Sequence, residues 1–182
     1  CMKWKVLEST YLFNEPWLTV RKDTCETPGG KIIPSFYVNE YPDWANAFCV
    51  TKEGKVVMVR QYRHGLGEEG IELPGGVVEQ GESMEEGVKR ELLEETGYAF
   101  DKIEYLGKIS ANPSTTNNLM HMFLATGGEK VAEQNLDEAE EVEVVYMTID
   151  EVKQMLRDHQ IMQSLHVCCI FYALERLGQM TY

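Results

Sequence analysis

Long hydrophobic runs are missing from this chain of 182 residues. No apolar stretch approaches the ~20 residues that a membrane-spanning helix requires, and the first residues lack the charged-then-apolar order of a signal peptide. Internal repeats and low-complexity tracts are also missing. Hydrophobic residues make up 43% and charged residues 26% of the sequence, which is typical of a soluble globular protein. We therefore expect a cytoplasmic protein with enough length to bury a sizeable core.

Positive charge is scarce as well. The sequence has 17 Lys and Arg residues against 30 Asp and Glu residues, so its formal net charge is −13. Such a surface repels nucleic acids and anionic membranes, and we expect neither as a partner. An anionic small molecule such as a nucleotide would need metal ions, or local Arg and Lys side chains, in order to bind.

The five cysteines are not spaced as zinc ligands, and their number is odd. We expect reduced thiols that are mostly buried as small hydrophobic side chains. Cys49, Cys168 and Cys169 lie in apolar surroundings that suit this interpretation, and the remaining two are Cys1 and Cys25.

The order of the patterned segments predicts an α/β protein. Strands are expected at residues 3–13, 17–23, 31–41, 44–51, 55–62, 103–109, 119–126 and 142–148. Helices are expected over the acidic segment that begins near residue 83 and near residues 149–158 and 162–177. We interpret residues 1–42 as an N-terminal β-rich extension and residues 43–182 as an α/β/α sandwich around a mixed sheet.

The acidic helix has clear boundaries. Ser83, with Glu86 three residues later, forms a capping box. Gly97 stands where a left-handed residue is expected after the last turn. The apolar residues of this segment step by four and predict a buried stripe on one face, at Met84, Val88 and Leu92.

Three carboxylates share another face of this helix. Glu91, Glu94 and Glu95 are spaced i, i+3 and i+4, so their charges repel one another. Arg90 lies four residues before Glu94 and can pair with it. A hard divalent cation with oxygen ligands would stabilise such a cluster, whereas the alternative is a solvated acidic helix with i,i+4 pairs.

The segment resembles the signature of the Nudix hydrolases. The positions that match the signature are Gly76, Glu82, Arg90, Glu91, Leu92, Glu94, Glu95, Gly97 and Tyr98. The resemblance implies a Nudix fold and a Mg²⁺ cofactor for which Mn²⁺ can substitute. It also implies that Glu91 and Glu95 are the first candidates for metal ligands, followed by Glu94, Glu82 and the Gly76 carbonyl.

Other segments are similar to the ADP-ribose pyrophosphatase branch of this family. They are Gln61-Tyr62-Arg63, the run Glu72-Leu73-Pro74-Gly75-Gly76, Pro113 and the acidic stretch from Leu136 to Val144. The chain departs from the branch at Gly75, where alanine is usual, and in the polar loop from Asn112 to Asn118.

In that branch, a glutamate of the acidic stretch acts as general base. The resemblance favours Glu140 for this role, with Glu138 and Glu141 as alternatives, and Arg90 is grouped with these catalytic candidates. A carboxylate held near cations is ionised at neutral pH, which suits proton abstraction from water. A solvated acidic turn remains the alternative interpretation of the stretch.

Several residues are candidates for binding the substrate. Arg63 could clamp a diphosphate through its fork of donors, or it could form an ordinary surface ion pair. Trp17, Trp44 and Tyr37 could stack a base, although aromatic residues in strands more commonly serve packing. The full set of substrate candidates is Arg63, Glu72, Pro113, Trp17 and Trp44.

Taken together, these patterns predict metal-dependent hydrolysis of the pyrophosphate bond of a nucleoside diphosphate that is linked to another group. ADP-ribose or a related nucleotide sugar is the expected substrate. The alternatives are another NDP-sugar, a nucleoside triphosphate, or a Nudix-fold module that binds a ligand without catalysis. The resemblance also implies a homodimer joined through residues 1–42.

Overall fold

The computed structural model describes residues 1–137 and 140–180. The chain divides into two compact units. The first consists of Cys1–Pro42 with Ser110–Leu119, and the second consists of Asp43–Ile109 with Met120–Tyr182.

The first unit contains a three-stranded antiparallel sheet in the order β1-β2-β3. Its strands are β1 (Lys5–Glu15), β2 (Leu18–Glu26) and β3 (Ile32–Glu40). Asp23 is buried on β2 and accepts hydrogen bonds from Ser9 and Arg21. All eleven residues of β1 are exposed, so this strand lacks cover on both faces within the unit.

The second unit is built on a mixed sheet, in which β4 and β10 run parallel and the other described neighbours are antiparallel. The main order is β11-β5-β4-β10-β8, while β6 pairs with β5, β7 with β4 and β9 with β10. The strands are β4 (Trp44–Thr51), β5 (Val56–Arg63), β6 (Glu68–Glu72), β7 (Gly75–Val77), β8 (Tyr98–Ala99), β9 (Lys102–Ile109), β10 (Met120–Lys130) and β11 (Val142–Met147).

Helices cover both faces of this sheet. The helices are α1 (Met84–Thr96), α2 (Ile149–Arg157) and α3 (Ser164–Arg176). Along β4, Ala47 and Cys49 face the core beneath α1, whereas Phe48 faces the core beneath α2 and α3. This alternation buries both faces of a central strand and produces the predicted α/β/α layers.

The cysteines differ in one respect from the expectation. Cys25, Cys49 and Cys169 are buried, but Cys168 is exposed, as is Cys1. Successive residues of a helix point about 100° apart, so burial of Cys169 on α3 turns its neighbour outward. Over the described residues, no helix is long and apolar enough to cross a membrane.

Candidate active site

Helix α1 carries the acidic motif and begins and ends where the sequence predicts. The Ser83 side chain accepts a hydrogen bond from the Glu86 N–H, and the Glu86 carboxylate accepts one from the Ser83 N–H, which completes the capping box. Gly97 follows the helix with a φ of 73°, in the region that favours glycine. Val88 and Leu92 are buried. The caps and the buried stripe together fix the rotation of the helix and thus the direction of its carboxylates.

Arg90 forms hydrogen bonds with three carboxylates, one before the helix and two on it. Its Nε donates to Glu82 over 2.7 Å. Its Nη1 donates to Glu91 over 2.9 Å and to Glu94 over 3.0 Å, and Nη2 reaches the Val77 carbonyl over 3.0 Å. The hydrogen bond from Arg90 lowers the pKa of Glu82. The sequence predicted only the pair with Glu94, whereas the structure makes Arg90 an anchor that ties the helix to the preceding loop.

Glu91 packs directly against Gly76. A Cβ atom built on Gly76 would lie 2.7 Å from Glu91 Oε2, so a larger residue there would displace this carboxylate from its position. Burial raises the pKa of Glu91, and the negative charges of Glu94 and Glu140 raise it further, while Arg90 opposes the shift. A carboxylate that is buried among other carboxylates in this way favours a bound cation.

Glu95 is the most deeply buried carboxylate of the helix, with 6% of its surface exposed. Its Oε2 accepts a hydrogen bond of 2.7 Å from the Gly75 N–H. Burial raises the pKa of Glu95 to about 8, the charges of Glu91 and Glu140 contribute in the same direction, and the Gly75 N–H and Arg63 oppose the shift. Glu95 therefore sits beneath the acidic face, between the helix and the start of β7.

The candidate general bases have different positions. Glu140 is half-buried and interacts electrostatically with both Glu91 and Glu95, so the structure brings it to the carboxylates of α1. Its N–H donates to the Asp137 carbonyl over 2.9 Å. Glu141 is exposed. Glu138 lies outside the described residues.

Arg63 and Glu72 form a pair of parallel hydrogen bonds. Arg63 Nη2 lies 2.6 Å from Glu72 Oε2, and Nε lies 3.0 Å from Oε1. Glu72 is buried, whereas about half of the Arg63 side chain is exposed. The hydrogen bond to Glu72 raises the pKa of Arg63, and the charges of Glu95 and Glu140 add to this effect. Arg63 is thus a fixed cation beside the carboxylate cluster.

The other substrate candidates belong to different units. Trp17 is 84% exposed and Pro113 is also exposed, both in the first unit. Trp44 begins β4 in the second unit and packs against the core there, as the packing alternative predicts. Within the first unit, an open groove of 590 Å³ is lined by Trp4, Ser35, Phe36, Tyr37, Pro113, Ser114 and Thr115.

Two polar residues near the site carried no motif in the sequence. Asn46 on β4 and His166 on α3 are both buried, and both form hydrogen bonds with the segment that leads into Gly75. Each is a single polar residue within an apolar run. Its partner is distant in the sequence, so no local spacing could have indicated the contact.

The acidic side chains beside Gly76 have the chemistry of divalent-cation ligands, although they pair with protein groups in this structure. In the part of the chain that the structure describes, no three His, Cys, Asp or Glu side chains are arranged to hold a metal ion. Glu91 is instead drawn to Arg90 and Glu95 to the Gly75 N–H. These are acidic oxygen donors, the type that hard cations prefer. They lie next to a glycine whose missing side chain brings the main chain close to Glu91.

Two family models match the chain. The family model of the Nudix domain matches residues 41–165. A second model, described as the N-terminal domain of nucleoside diphosphate sugar hydrolases, matches residues 4–39.

Curated relatives match nearly the whole chain. One is a methanol dehydrogenase activator of Bacillus methanolicus, 31% identical over 92% of this chain and 91% of the relative. Another is an ADP-ribose pyrophosphatase of Bacillus subtilis, 30% identical with the same coverage of both chains. The chain is also similar to the crystal structure of an ADP compounds hydrolase. The superposition includes 98% of this chain and 97% of the other chain, with a TM-score of 0.84 and 21% sequence identity.

These matches confirm the predicted fold class and the predicted Nudix pyrophosphohydrolase. The Nudix model covers more than half of the chain and includes the complete motif from Gly76 to Tyr98. The chain belongs to the Nudix family.

Proposed function

We propose that this protein hydrolyses the pyrophosphate bond of a nucleoside diphosphate compound, with ADP-ribose or a related ADP-sugar as substrate and Mg²⁺ as the metal. Nudix hydrolases generally need a divalent metal ion. The observation that carries the proposal is the cluster of Glu91, Glu95 and Glu140 beside β7, with Arg63 as the neighbouring cation. The name of the Bacillus subtilis relative supports the choice of ADP-ribose.

We assign the metal to Glu91, Glu95 and the carbonyl of Gly76. Arg90 pairs with Glu91 as well as with Glu82 and Glu94. We place Glu91 first because it is more buried than Glu94 and packs against Gly76. In this proposal Glu82 and Glu94 serve chiefly to hold the site together. A bound Mg²⁺ supplies Lewis acidity toward a phosphate oxygen and makes a bound water more acidic.

Glu140 is the residue that we propose to accept the proton from the attacking water. It lies in the electrostatic neighbourhood of Glu91 and Glu95, and a positioned carboxylate can act as general base. Arg63 uses Nε and Nη2 for Glu72. Its Nη1 forms no hydrogen bond with any described residue and can donate to the diphosphate.

We also propose that the protein is a homodimer joined through residues 1–42. Strand β1 is exposed along its whole length, and it carries large apolar side chains that are about half exposed. They are Val6, Leu7, Tyr11, Leu12 and Phe13. Exposed apolar surface of this extent typically marks an interface. Sedimentation analysis should give the mass of two chains, and Leu12→Glu should shift it toward one chain.

A substrate panel tests the proposed activity. ADP-ribose, other ADP-sugars, GDP-mannose, a dinucleoside polyphosphate and nucleoside triphosphates should be incubated with the protein and Mg²⁺, and phosphate should be measured after a phosphatase step. We expect ADP-ribose to yield AMP and ribose 5-phosphate with the highest kcat/KM, and chelator to abolish turnover. A preference for triphosphates or for GDP-mannose would refute the substrate assignment.

The alternative function, a Nudix-fold module that binds a ligand without catalysis, predicts a different result in this substrate panel. Such a module would bind nucleotides without turning them over. The acidic residues of the motif are all present, and their arrangement with Glu140 favours the enzyme. Binding of ADP-ribose without hydrolysis in the presence of Mg²⁺ or Mn²⁺ would favour the module.

A further inference from the structure

The segment Leu73–Gly75 lies at a change of strand partner. The last ladder pair of β6 joins Glu72 to Val59 on β5, and the first pair of β7 joins Gly75 to Asn46 on β4. Between these pairs the main chain leaves one ladder before it enters the next. Pro74 has no N–H to donate, so the segment must find other partners for its buried polar groups.

Three buried side chains provide most of those partners, and the Ala47 N–H on β4 donates to the Pro74 carbonyl over 3.2 Å. His166 Nδ1 accepts from the Leu73 N–H over 3.2 Å. Asn46 Nδ2 donates to the Leu73 and Pro74 carbonyls over 3.4 and 3.5 Å. Glu95 Oε2 accepts from the Gly75 N–H over 2.7 Å. The segment is therefore held by one main-chain hydrogen bond from β4 and by side chains from β4, α1 and α3.

The hydrogen bond to Leu73 defines the state of the His166 ring. A nitrogen that accepts an N–H bears a lone pair, so Nδ1 carries no proton. The carboxylate of Glu72 lies 3.9 Å from this nitrogen, but its oxygens are already engaged by Arg63. Burial lowers the pKa of His166 to about 4, which agrees with a neutral ring that acts as an acceptor.

The held segment connects the two halves of the candidate site. Glu72 precedes it and fixes Arg63. Gly76 follows it and packs against Glu91. A shift of the segment would therefore displace both Arg63, the proposed diphosphate donor, and the Gly76 main chain beside Glu91. Misplacement by about 1 Å in such a site can cost a hundredfold in rate.

We propose that His166 and Asn46 are positioning residues, which fix the Leu73–Gly75 main chain so that Glu95, Gly76 and Arg63 keep their places. This inference rests on the proposed hydrolysis for its kinetic consequence. Its structural consequence, a rigid segment in the metal-free protein, is independent of any substrate.

The test compares two substitutions of His166. In His166→Asn, the side-chain oxygen can replace Nδ1 as acceptor, whereas His166→Leu keeps the volume and removes the acceptor. Ile170→Val is the matched control because Ile170 is buried on the same helix and does not bond to the segment. Amide hydrogen exchange at Leu73 and Gly75 should be measured in chelator. Mn²⁺ affinity and steady-state kinetics should be measured separately, without chelator.

We expect His166→Leu to accelerate exchange of the Leu73 amide at least tenfold and to lower kcat about 10- to 100-fold with KM within about twofold. His166→Asn should restore both, and Ile170→Val should change neither. Unchanged exchange and unchanged kcat in a folded His166→Leu protein would overturn the proposal. So would equal losses in His166→Leu and Ile170→Val.

Two further outcomes are also decisive. If His166→Leu does not fold, Asn46→Ala takes its place, and normal exchange and kcat in that variant would overturn the proposal. If the wild-type protein cleaves no nucleoside diphosphate compound, the proposed function fails. The exchange rates then still decide whether the segment is held as proposed.

Discussion

Replacing Glu95 by glutamine should make the metal-free protein more stable while it removes activity. Glu95 is buried, and burial raises its pKa to about 8 from an ordinary value of 4.5. Glutamine has nearly the same shape and can still accept the hydrogen bond from the Gly75 N–H. The substitution therefore removes a costly ionisable group and little else from the folded protein.

The magnitude follows from the two pKa values. One pKa unit corresponds to about 1.4 kcal/mol. The unfolded chain releases the Glu95 proton near pH 4.5, whereas the folded chain keeps it up to about pH 8. Between these values the stability of the wild type falls as the pH rises. Near neutral pH the cost is about 3 kcal/mol, and below pH 4.5 it disappears.

Urea unfolding in chelator, at several pH values, measures the effect. Glu95→Gln should exceed the wild type in free energy of unfolding by about 3 kcal/mol near neutral pH, and the difference should shrink toward zero near pH 4.5. Glu85→Gln on the exposed side of α1 is the control, with an expected change within about 0.5 kcal/mol.

Mg²⁺ should reverse the order. A cation that binds only the folded protein stabilises it, so saturating Mg²⁺ should raise the stability of the wild type more than that of Glu95→Gln. Turnover by the variant should fall by orders of magnitude. A variant that is less stable than the wild type in chelator, at every pH, would refute the reasoning that Glu95 is held at a desolvation cost.

Three further predictions concern neighbouring residues. Gly76→Ala should lower kcat about a hundredfold, because the new Cβ would lie 2.7 Å from the Glu91 carboxylate; steady-state kinetics near the wild-type rate would show that this contact is not essential. Glu140→Gln should lower kcat by about 10²- to 10⁴-fold without changing Mn²⁺ affinity, and the same loss in Glu138→Gln instead would move the general base to that residue. Burial lowers the pKa of His166 to about 4 from 6.5, so the free energy of unfolding of the wild type should fall by about 3 kcal/mol relative to His166→Asn between pH 6.5 and pH 4. Urea unfolding measures this difference, and a difference that does not change with pH would contradict a buried neutral ring.

Local patterns in the sequence were sufficient to predict helix α1 and its carboxylates. The capping box, the terminal glycine and the i, i+3, i+4 spacing are all short-range features. The pairing of Arg90 with Glu94 was predictable for the same reason. The contact of Arg90 with Glu82 was not, because Glu82 precedes the helix and its approach depends on the path of the loop.

Burial of single polar groups was the part that the sequence could not predict. Glu95 is separated from Gly75 by 20 residues and His166 from Leu73 by 93. Such contacts follow from how sheet and helices pack. The sequence predicted no strand at Gly75–Val77, but pairing with β4 makes it a short strand, because tertiary context overrides weak β-propensity.

Titration of the chelator-treated protein with Mn²⁺, followed by electron paramagnetic resonance, tests the central claim most directly. The wild type should bind Mn²⁺ in a site that is lost in the double variant Glu91→Gln, Glu95→Gln, with ADP-ribose hydrolysis lost in parallel. If the double variant binds Mn²⁺ as the wild type does, or if hydrolysis continues without any divalent ion, the carboxylates of α1 are not the metal site.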